Sequence, residues 1–426
     1  MAKEKSRRRD PGVLPETVRQ ELLPNGLRIV TDEVTHVRSV TLGIQIEAGS
    51  RDDPDGKPGL AHFIEHAVFK GTQRRSWLDI AKNIENNGGY LDAYTTKEHT
   101  CIYLRCLEKH LEPSFDLLAD LVCNPLFPPE EMEKEKEVVI EEISSVEDTP
   151  EELIFDEFDL RSFPGHPLGK PILGTEESIS GFTGDDLKGF MRDHYHPENM
   201  LLTATGSAPH ETIVRLAGKF LGTLPAQQKR TYRRKPFHAC DYTPFSATLK
   251  KQVHQSQIVL GTAIERDDPL YYSLMVLNAI LGNGMSSLLN IELREKRGLV
   301  YNVYSALSFF DDMTALNIYA GTDGNKTAKT IELLESLLRS ETLFTPDTEE
   351  VESAKRKLLG SLVMGMEKMT RRMSQTASDI SYFGRYITPE EKAAAIESIT
   401  PGDIARAAAV ILRDAPFSSL VYKPKR

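Results

Sequence analysis

The predicted strands and helices of this 426-residue chain occur in the same order twice. The first half contains, in order, a strand at 40–46, helices at 59–70 and 76–87, strands within 90–107, helices at 112–123 and 129–146, and a strand at 201–206. The second half contains a strand at 257–261, helices at 269–281 and 287–296, strands within 300–321, helices at 326–339, after 350 and at 402–412, and a strand at 418–422. When Met132 is aligned with Val351, corresponding positions in the two halves are 219 residues apart, since 351 − 132 = 219. Two similar domains are therefore predicted.

We expect both domains to be α+β, each a mostly antiparallel sheet packed with helices, and related by internal duplication. The length supports two domains, because a single core stops growing near roughly 250–300 residues. The polar stretch 227–244 has no helical or strand period and is predicted to be a linker. It separates a first domain at 21–226 from a second at 245–426, and residues 1–20 are predicted to form a disordered tail.

Acidic residues outnumber basic ones, with 63 Asp plus Glu against 52 Lys plus Arg and a formal net charge of −11. Proteins that bind nucleic acid or anionic lipid need a basic surface, so we expect neither partner. No apolar run approaches the ~18 residues of a membrane span. The basic start is followed by no secretory hydrophobic stretch. Four cysteines without a CxxC pair favour a reducing compartment, so a cytoplasmic location is predicted, with an organellar matrix less favoured.

The segment 59–69 contains three side chains suited to metal chemistry. His62, Glu65 and His66 fall at i, i+3 and i+4 of an otherwise apolar predicted helix and therefore share one face. Two imidazoles one turn apart can occupy two corners of a tetrahedral zinc site, and the carboxylate can act on the metal's water. This HxxEH order is the inverzincin signature. The alternative is a core helix whose titratable groups are buried, which is costly without partners.

A third zinc ligand is expected from the acidic helix predicted at 129–146. Chemistry alone leaves four candidates open: Glu135, Glu137, Glu141 and Glu142. Helical periodicity places Glu135 and Glu142 on one stripe, where they could supply one ligand and one supporting carboxylate. The apolar side of the helix is predicted to contain Val138, Val139 and Ile143. The alternative is a solvated acidic face that binds no metal.

The HxxEH helix and the acidic helix together resemble the corresponding segments of the pitrilysin-type zinc metallopeptidases. The chain is most similar to the two-domain bacterial and processing-peptidase branch of that family, over about residues 21–422. In that family the third ligand is a Glu about 76 residues beyond the second His, which corresponds to Glu142 here. The resemblance implies one zinc ion per chain, held by His62, His66 and Glu142. It also implies that Glu135 is an auxiliary carboxylate and that Glu65 is the catalytic base.

The segment 87–96 resembles the family's Gly-Gly…Asn-Ala-Tyr-Thr strand, which lies at a sheet edge and pairs with substrate backbone. The resemblance implies that four residues bind substrate: Asp92, Ala93, Tyr94 and Thr95. Asp92 departs from the family pattern, where Asn is usual. The substitution removes an amide donor and adds a charge near the metal.

The segment 293–301 resembles the family's Arg and Tyr pair, spaced by seven residues. The resemblance implies that Arg294 binds a substrate carbonyl or carboxylate and that Tyr301 hydrogen-bonds the developing oxyanion. Both residues are therefore predicted to be catalytic and substrate-binding.

The second half has no HxxEH motif. Its counterpart helix reads YYSLMVLNAIL, and Ser361 stands at the offset position of Glu142. We predict that one domain binds zinc and the other holds substrate. Since a single chain contains both, a homodimer is expected, with each zinc domain facing an Arg–Tyr domain of the same chain or of its partner.

These features predict a zinc-dependent endopeptidase that cleaves peptides or unfolded protein segments by attack of zinc-bound water. The alternative is a non-catalytic scaffold or partner subunit of a processing-peptidase-like complex. Such relatives typically have a degraded metal motif, whereas every ligand position is filled here. Residues 130–159 contain 14 Asp plus Glu against two Lys, and we hypothesise that this stretch lines the substrate chamber and favours basic peptides.

Overall fold

Two sheets organise the computed structural model, which describes residues 17–226 and 234–425. The first sheet has the strand order β1-β2-β6-β3-β5-β4. Its strands are β1 (Val18–Leu22), β2 (Arg28–Glu33), β3 (Ser39–Ile46), β4 (Tyr90–Thr95), β5 (Thr100–Leu107) and β6 (Met200–Gly206). The second has the order β7-β11-β8-β10-β9. Its strands are β7 (Ser246–Lys251), β8 (Ser256–Glu265), β9 (Val300–Phe309), β10 (Met313–Thr322) and β11 (Ser418–Pro424).

Apart from β1, the two sheets share one topology. Each contains a single parallel pair, β2 with β6 in the first sheet and β7 with β11 in the second. The remaining neighbours are antiparallel. The prediction of two similar α+β domains with mostly antiparallel sheets is therefore confirmed.

The helices repeat the same order. Those before β7 are α1 (Leu60–Ala67), α2 (Trp77–Glu85), α3 (Leu111–Cys123), α4 (Pro129–Glu147), α5 (Pro150–Ser162), α6 (Glu176–Ser180), α7 (Gly184–His194) and α8 (His210–Phe220). Those after β8 are α9 (Tyr271–Leu281), α10 (Thr327–Leu338), α11 (Glu341–Phe344), α12 (Thr348–Met366), α13 (Met369–Phe383), α14 (Pro389–Glu397) and α15 (Pro401–Ala408). Helices α4 and α12 both contain 19 residues and start 219 residues apart, at 129 and 348, which confirms the predicted offset.

Each half also contributes a helix to the other half's sheet. Helix α5 packs on β8 and β11, while α13 packs on β3 and β6. Phe158 of α5 lies in a buried cluster with Val259 and Leu420, and the converse cluster joins Ile380 to Leu201. The guanidinium of Arg372 on α13 donates to both carboxylate oxygens of Asp32, at 2.7 and 2.9 Å. The two halves therefore share cores in addition to a surface contact.

The predicted N-terminal tail is too long. Residues 18–20 belong to β1, which pairs along its length with β2. This pairing satisfies backbone groups that a disordered tail would leave to water. Residues 1–16 lie outside the described part of the chain.

The predicted linker is packed where it is described. Residues 227–233 lie outside the described part, but Phe237 and Tyr242 are buried at the junction. Arg234 forms ion pairs with Asp52 of the first half and Asp311 of the second, both at 2.8 Å. The linker-like composition of this stretch therefore did not indicate that two aromatic residues are buried there and that one partly buried arginine pairs with both halves. The other predicted domain boundaries stay predictions.

Within the described ranges, no helix has the length and apolar character needed to span a membrane. The cytoplasmic location stays a prediction.

Candidate metal centre

The start of α1 is fixed by a glycine and a carboxylate. Gly59 has φ of +89°, and a Cβ at this position would lie 2.6 Å from the carbonyl oxygen of Leu173. The two carboxylate oxygens of Asp53 accept the backbone N–H groups of Gly59 and Ala61 at 2.7 and 2.8 Å. These contacts satisfy amides that a helix start leaves without partners. They set the position from which the HxxEH side chains project.

The remaining residues of α1 anchor it in the first core. The apolar residues Leu60, Phe63, Ile64 and Ala67, together with Val68 just beyond the helix, are all buried, with 0–1% exposure. His62 is also buried, while Glu65 and His66 are partly exposed on the same helix. The core therefore holds the backbone while the polar face opens towards α4.

Helix α4 presents a different face to the core than the sequence predicts. Its buried stripe contains Met132, Glu135, Lys136 and Val139. Val138, predicted to lie on the apolar side, is 48% exposed. It lies about 100° around the helix from Val139, outside the stripe. Glu135 takes a buried place because its carboxylate has one partner on α1 and another just beyond it.

Three of the predicted ligands converge between α1 and α4. The Nε2 atoms of His62 and His66 lie 3.7 and 3.5 Å from Oε2 of Glu142. In a tetrahedral zinc site with bonds of about 2.0–2.2 Å, neighbouring ligand atoms lie roughly 3.3–3.6 Å apart. Within the described ranges, this is the one group of three or more His, Cys, Asp or Glu side chains close enough to share an ion.

Glu135 supports this group from behind His66. The Nδ1 atom of His66 donates to Oε1 of Glu135 at 2.9 Å, and Lys70 pairs with Oε2 of the same carboxylate at 2.5 Å. A carboxylate on the far nitrogen of a histidine fixes its tautomer and directs Nε2 to the metal. The sequence pattern did not single out Lys70, although it lies four residues beyond His66.

The electrostatics of the site favour a cation. Burial lowers the pKa of His62 to about 3, so its imidazole is neutral and able to ligate. Burial opposes charge on His66 too, but the carboxylates of Glu135, Glu65 and Glu142 raise its pKa. Glu65 and Glu142 thus lie near the two imidazoles without a Lys or Arg partner among the described residues, and a divalent ion would supply the positive charge they lack.

Glu65 lies beside the three candidate ligands without joining their cluster. Burial raises the pKa of its carboxyl, and the charge of Glu142 raises it further. Its Oε2 is buried and has no hydrogen-bond partner in the described part of the chain. A buried carboxylate oxygen without a partner is costly unless a proton, water or ion meets it. Glu65 is therefore an additional carboxylate beside the candidate ligands.

The predicted substrate strand is an edge of the first sheet. Residues Asp92, Ala93, Tyr94 and Thr95 lie on β4, whose described partner is β5 alone. A cavity of about 690 Å³ adjoins this edge, and the residues that line it include Phe69, Lys70, Trp77, Leu91 and Asp92. Because Lys70 contacts Glu135, the cavity lies next to the candidate metal ligands.

The structure does not join Arg294 or Tyr301 to the metal ligands. Arg294 lies exposed in a π-helical turn, Asn290–Glu295, and its side chain has no hydrogen bond or ion pair within the described residues. Tyr301 is 56% exposed on β9, and its hydroxyl donates to Asp323 at 2.9 Å. The substrate roles of both residues stay predictions.

Comparisons with known proteins agree with this site. Residues 28–176 match the family model described as Insulinase (Peptidase family M16), and residues 181–358 match the model described as Peptidase M16 inactive domain. The second match covers most of the half in which the candidate ligand cluster has no counterpart among described residues.

Two relatives are named zinc proteases. The uncharacterized zinc protease YmxG of Bacillus subtilis is 35% identical over 368 residues, covering 86% of this chain and 89% of that protein. An uncharacterized zinc protease of Mycobacterium leprae is 36% identical over 399 residues, covering 93% and 88%. The fold resembles a protease from Helicobacter pylori, with a TM-score of 0.87, 21% identity and coverage of 96% and 99%.

The two α+β domains and the cluster of His62, His66 and Glu142 thus agree with a class of two-domain zinc peptidases. The chain belongs to peptidase family M16.

Proposed function

We propose that this protein is a zinc-dependent endopeptidase of peptides or unfolded protein segments. The observation that carries the proposal is the convergence of His62, His66 and Glu142 with the separate carboxylate of Glu65 beside them. A structural zinc site has no use for an additional base, whereas a hydrolytic site needs one.

Different residues of the chain would bind the metal, transfer the proton and orient the ligands. His62, His66 and Glu142 would hold zinc, which supplies a Lewis acid that polarises a peptide carbonyl and makes water more acidic. Glu65 accepts a proton from the attacking water and delivers it to the leaving amine. Glu135 and Lys70 keep the imidazole of His66 oriented throughout. Burial of Glu65 favours its protonated form, which helps it to gain and pass on a proton.

The substrate would extend along β4 as an added strand. The open edge of β4 offers backbone donors and acceptors, and the adjoining cavity of about 690 Å³ contains the rings of Phe69 and Trp77. Such an edge accepts an extended peptide and cannot accept a folded domain's buried strands. The cavity would receive one apolar substrate side chain.

A homodimer would complete the site. Arg294 and Tyr301 are exposed, and the Arg294 side chain has no partner among described residues, so it is available to a neighbouring chain or its substrate. The Tyr301 hydroxyl would exchange its hydrogen bond to Asp323 for one to the substrate. In this arrangement Tyr301 donates to the carbonyl oxygen as negative charge develops there.

Metal analysis and peptide cleavage test the proposal together. The purified protein should contain one zinc per chain and cleave members of a mixed peptide library. A chelator should stop cleavage, and added zinc should restore it. Stoichiometric zinc without cleavage of any peptide would instead favour a non-catalytic partner subunit, and absence of zinc would remove the basis of the proposal.

A further inference from the structure

The face of the sheet opposite α1 holds a carboxylate among tyrosines. Side chains alternate along β4, so Tyr90, Asp92 and Tyr94 share one face. Leu91 and Ala93 point the other way and pack against the first core. The β4–β5 register sets Tyr103 directly opposite Asp92.

The carboxylate of Asp92 is fixed by three donors. Its Oδ2 accepts the hydroxyls of Tyr90 and Tyr103 at 2.8 and 3.0 Å, and its Oδ1 accepts the backbone N–H of Ala93 at 2.9 Å. Burial and the charge of Asp92 raise the pKa of Tyr103, which keeps that hydroxyl a donor. A carboxylate oxygen accepts more than one hydrogen bond, so Oδ1 retains capacity for another partner.

This carboxylate has no cation of its own. Asp92 forms no ion pair within the described residues, and Arg105, which lies opposite Tyr90 on the same face, forms none either. The ring centroids of Tyr90 and Tyr103 are 6.3 Å apart, and those of Tyr94 and Tyr103 are 6.2 Å apart. A fixed carboxylate beside tyrosine rings is the chemistry that recognises an ammonium or guanidinium group.

We propose that Asp92, Tyr90 and Tyr103 form a subsite for one Lys or Arg side chain of the substrate. This inference rests on the proposed function, because it requires a peptide paired with the edge of β4. Successive side chains of such a peptide point to opposite faces of the sheet. A substrate side chain that points to the face shared by Tyr90 and Asp92 therefore meets the Asp92 carboxylate, and Asp92 also lines the cavity of about 690 Å³. Asp92 lies outside the acidic stretch 130–159, so this preference is separate from any general attraction of that stretch.

Matched peptides test the subsite. Each position flanking a cleaved bond is occupied in turn by Arg or by citrulline, its neutral isostere, and kcat/KM is measured for both. The wild-type protein should favour Arg at one position, by roughly three- to tenfold, as expected of a partly exposed charge pair. Asp92→Asn keeps the shape and should abolish that ratio at the same position. Glu108→Gln, which removes an exposed carboxylate just beyond β5, should leave the ratio unchanged.

The possible outcomes distinguish failure of the subsite proposal from failure of the peptidase proposal. Cleavage with an Arg-to-citrulline ratio unaffected by Asp92→Asn would overturn the subsite and leave the peptidase intact. An equal fall of the Arg-to-citrulline ratio in Asp92→Asn and Glu108→Gln would also overturn the subsite, because a diffuse negative field would then explain the preference for Arg. Absence of all cleavage would overturn both proposals. Should Asp92→Asn unfold at lower temperature, Tyr90→Phe removes one exposed donor and should lower the ratio about twofold.

Discussion

The imidazole of His66 is held by Glu135: Nδ1 lies 2.9 Å from Oε1 of that carboxylate. The opposite ring nitrogen faces Glu142 at 3.5 Å. Glu135 can therefore orient a metal ligand without binding the metal.

Glu135→Gln should weaken zinc binding by about ten- to a hundredfold, because an amide is a poorer acceptor for His66 and no longer pairs with Lys70. Competition with a chelator of known affinity measures the effect. Lys70→Met should produce a smaller loss, since His66 keeps its carboxylate partner. Unchanged zinc affinity in Glu135→Gln would show that His66 is oriented by other contacts.

Glu142→Gln should lose zinc, because a neutral amide is a poor substitute for a carboxylate ligand. The neighbouring Glu141→Gln is the matched control and should retain zinc, since Glu141 lies outside the converging cluster. Elemental analysis of both purified variants measures their zinc content and shows which carboxylate is the ligand. The reverse pattern would move the third ligand to Glu141.

Mixed dimers test whether Tyr301 acts across chains. Tyr301→Phe should lower kcat by roughly a hundredfold if its hydroxyl stabilises the oxyanion. If the site uses the partner's Tyr301, a dimer of one Glu65→Gln chain and one Tyr301→Phe chain contains one intact site and recovers about half of the wild-type rate. Mixed dimers that stay inactive would place Tyr301 and the metal ligands of each site in one chain.

A partly buried ion pair between His99 and Glu47 should make stability depend on pH. His99 Nδ1 lies 3.2 Å from Glu47 Oε2, near α13. Burial alone would raise the pKa of Glu47 and lower that of His99, but their mutual attraction lowers the former to about 2 and raises the latter. The stabilisation from His99 is full below its unfolded pKa of about 6.5 and is lost as the pH rises through the higher folded value.

The stabilisation from Glu47 is present above its unfolded pKa of 4.5 and is lost as the pH falls towards 2. Urea unfolding of wild type and His99→Gln, compared from about pH 6 upwards, isolates the contribution of His99. The difference between their free energies of unfolding should shrink as the pH rises. A difference that stays constant would mean that His99 does not titrate with the fold.

Local pattern was sufficient for much of this structure. The spacing of His62, Glu65 and His66 predicted that they share one helix face. The charged helices that start at 129 and 348 revealed the internal repeat, because the length and start of a helix depend on local propensity. Choosing Glu142 among four acidic candidates required the family resemblance. Periodicity could not choose, since solvated and ligating carboxylates occupy the same helix face.

Long-range packing could not be predicted from the sequence. Nothing in the periodicity of α5 or α13 indicates that each covers the other half's sheet, because a helix face encodes burial but not its partner. The contacts of Lys70 with Glu135 and of Tyr103 with Asp92 could not be predicted for a related reason, because each joins segments that are far apart in the sequence. The apolar character of Val138 favours a place in the core, but the helix geometry places it outside the buried stripe.

Zinc content and peptide turnover of Glu65→Gln test the central claim most directly. Because Glu65 lies outside the ligand cluster, the variant should retain one zinc per chain, and because it removes the base, kcat should fall by about a hundredfold or more. Full zinc occupancy with wild-type turnover would contradict the account.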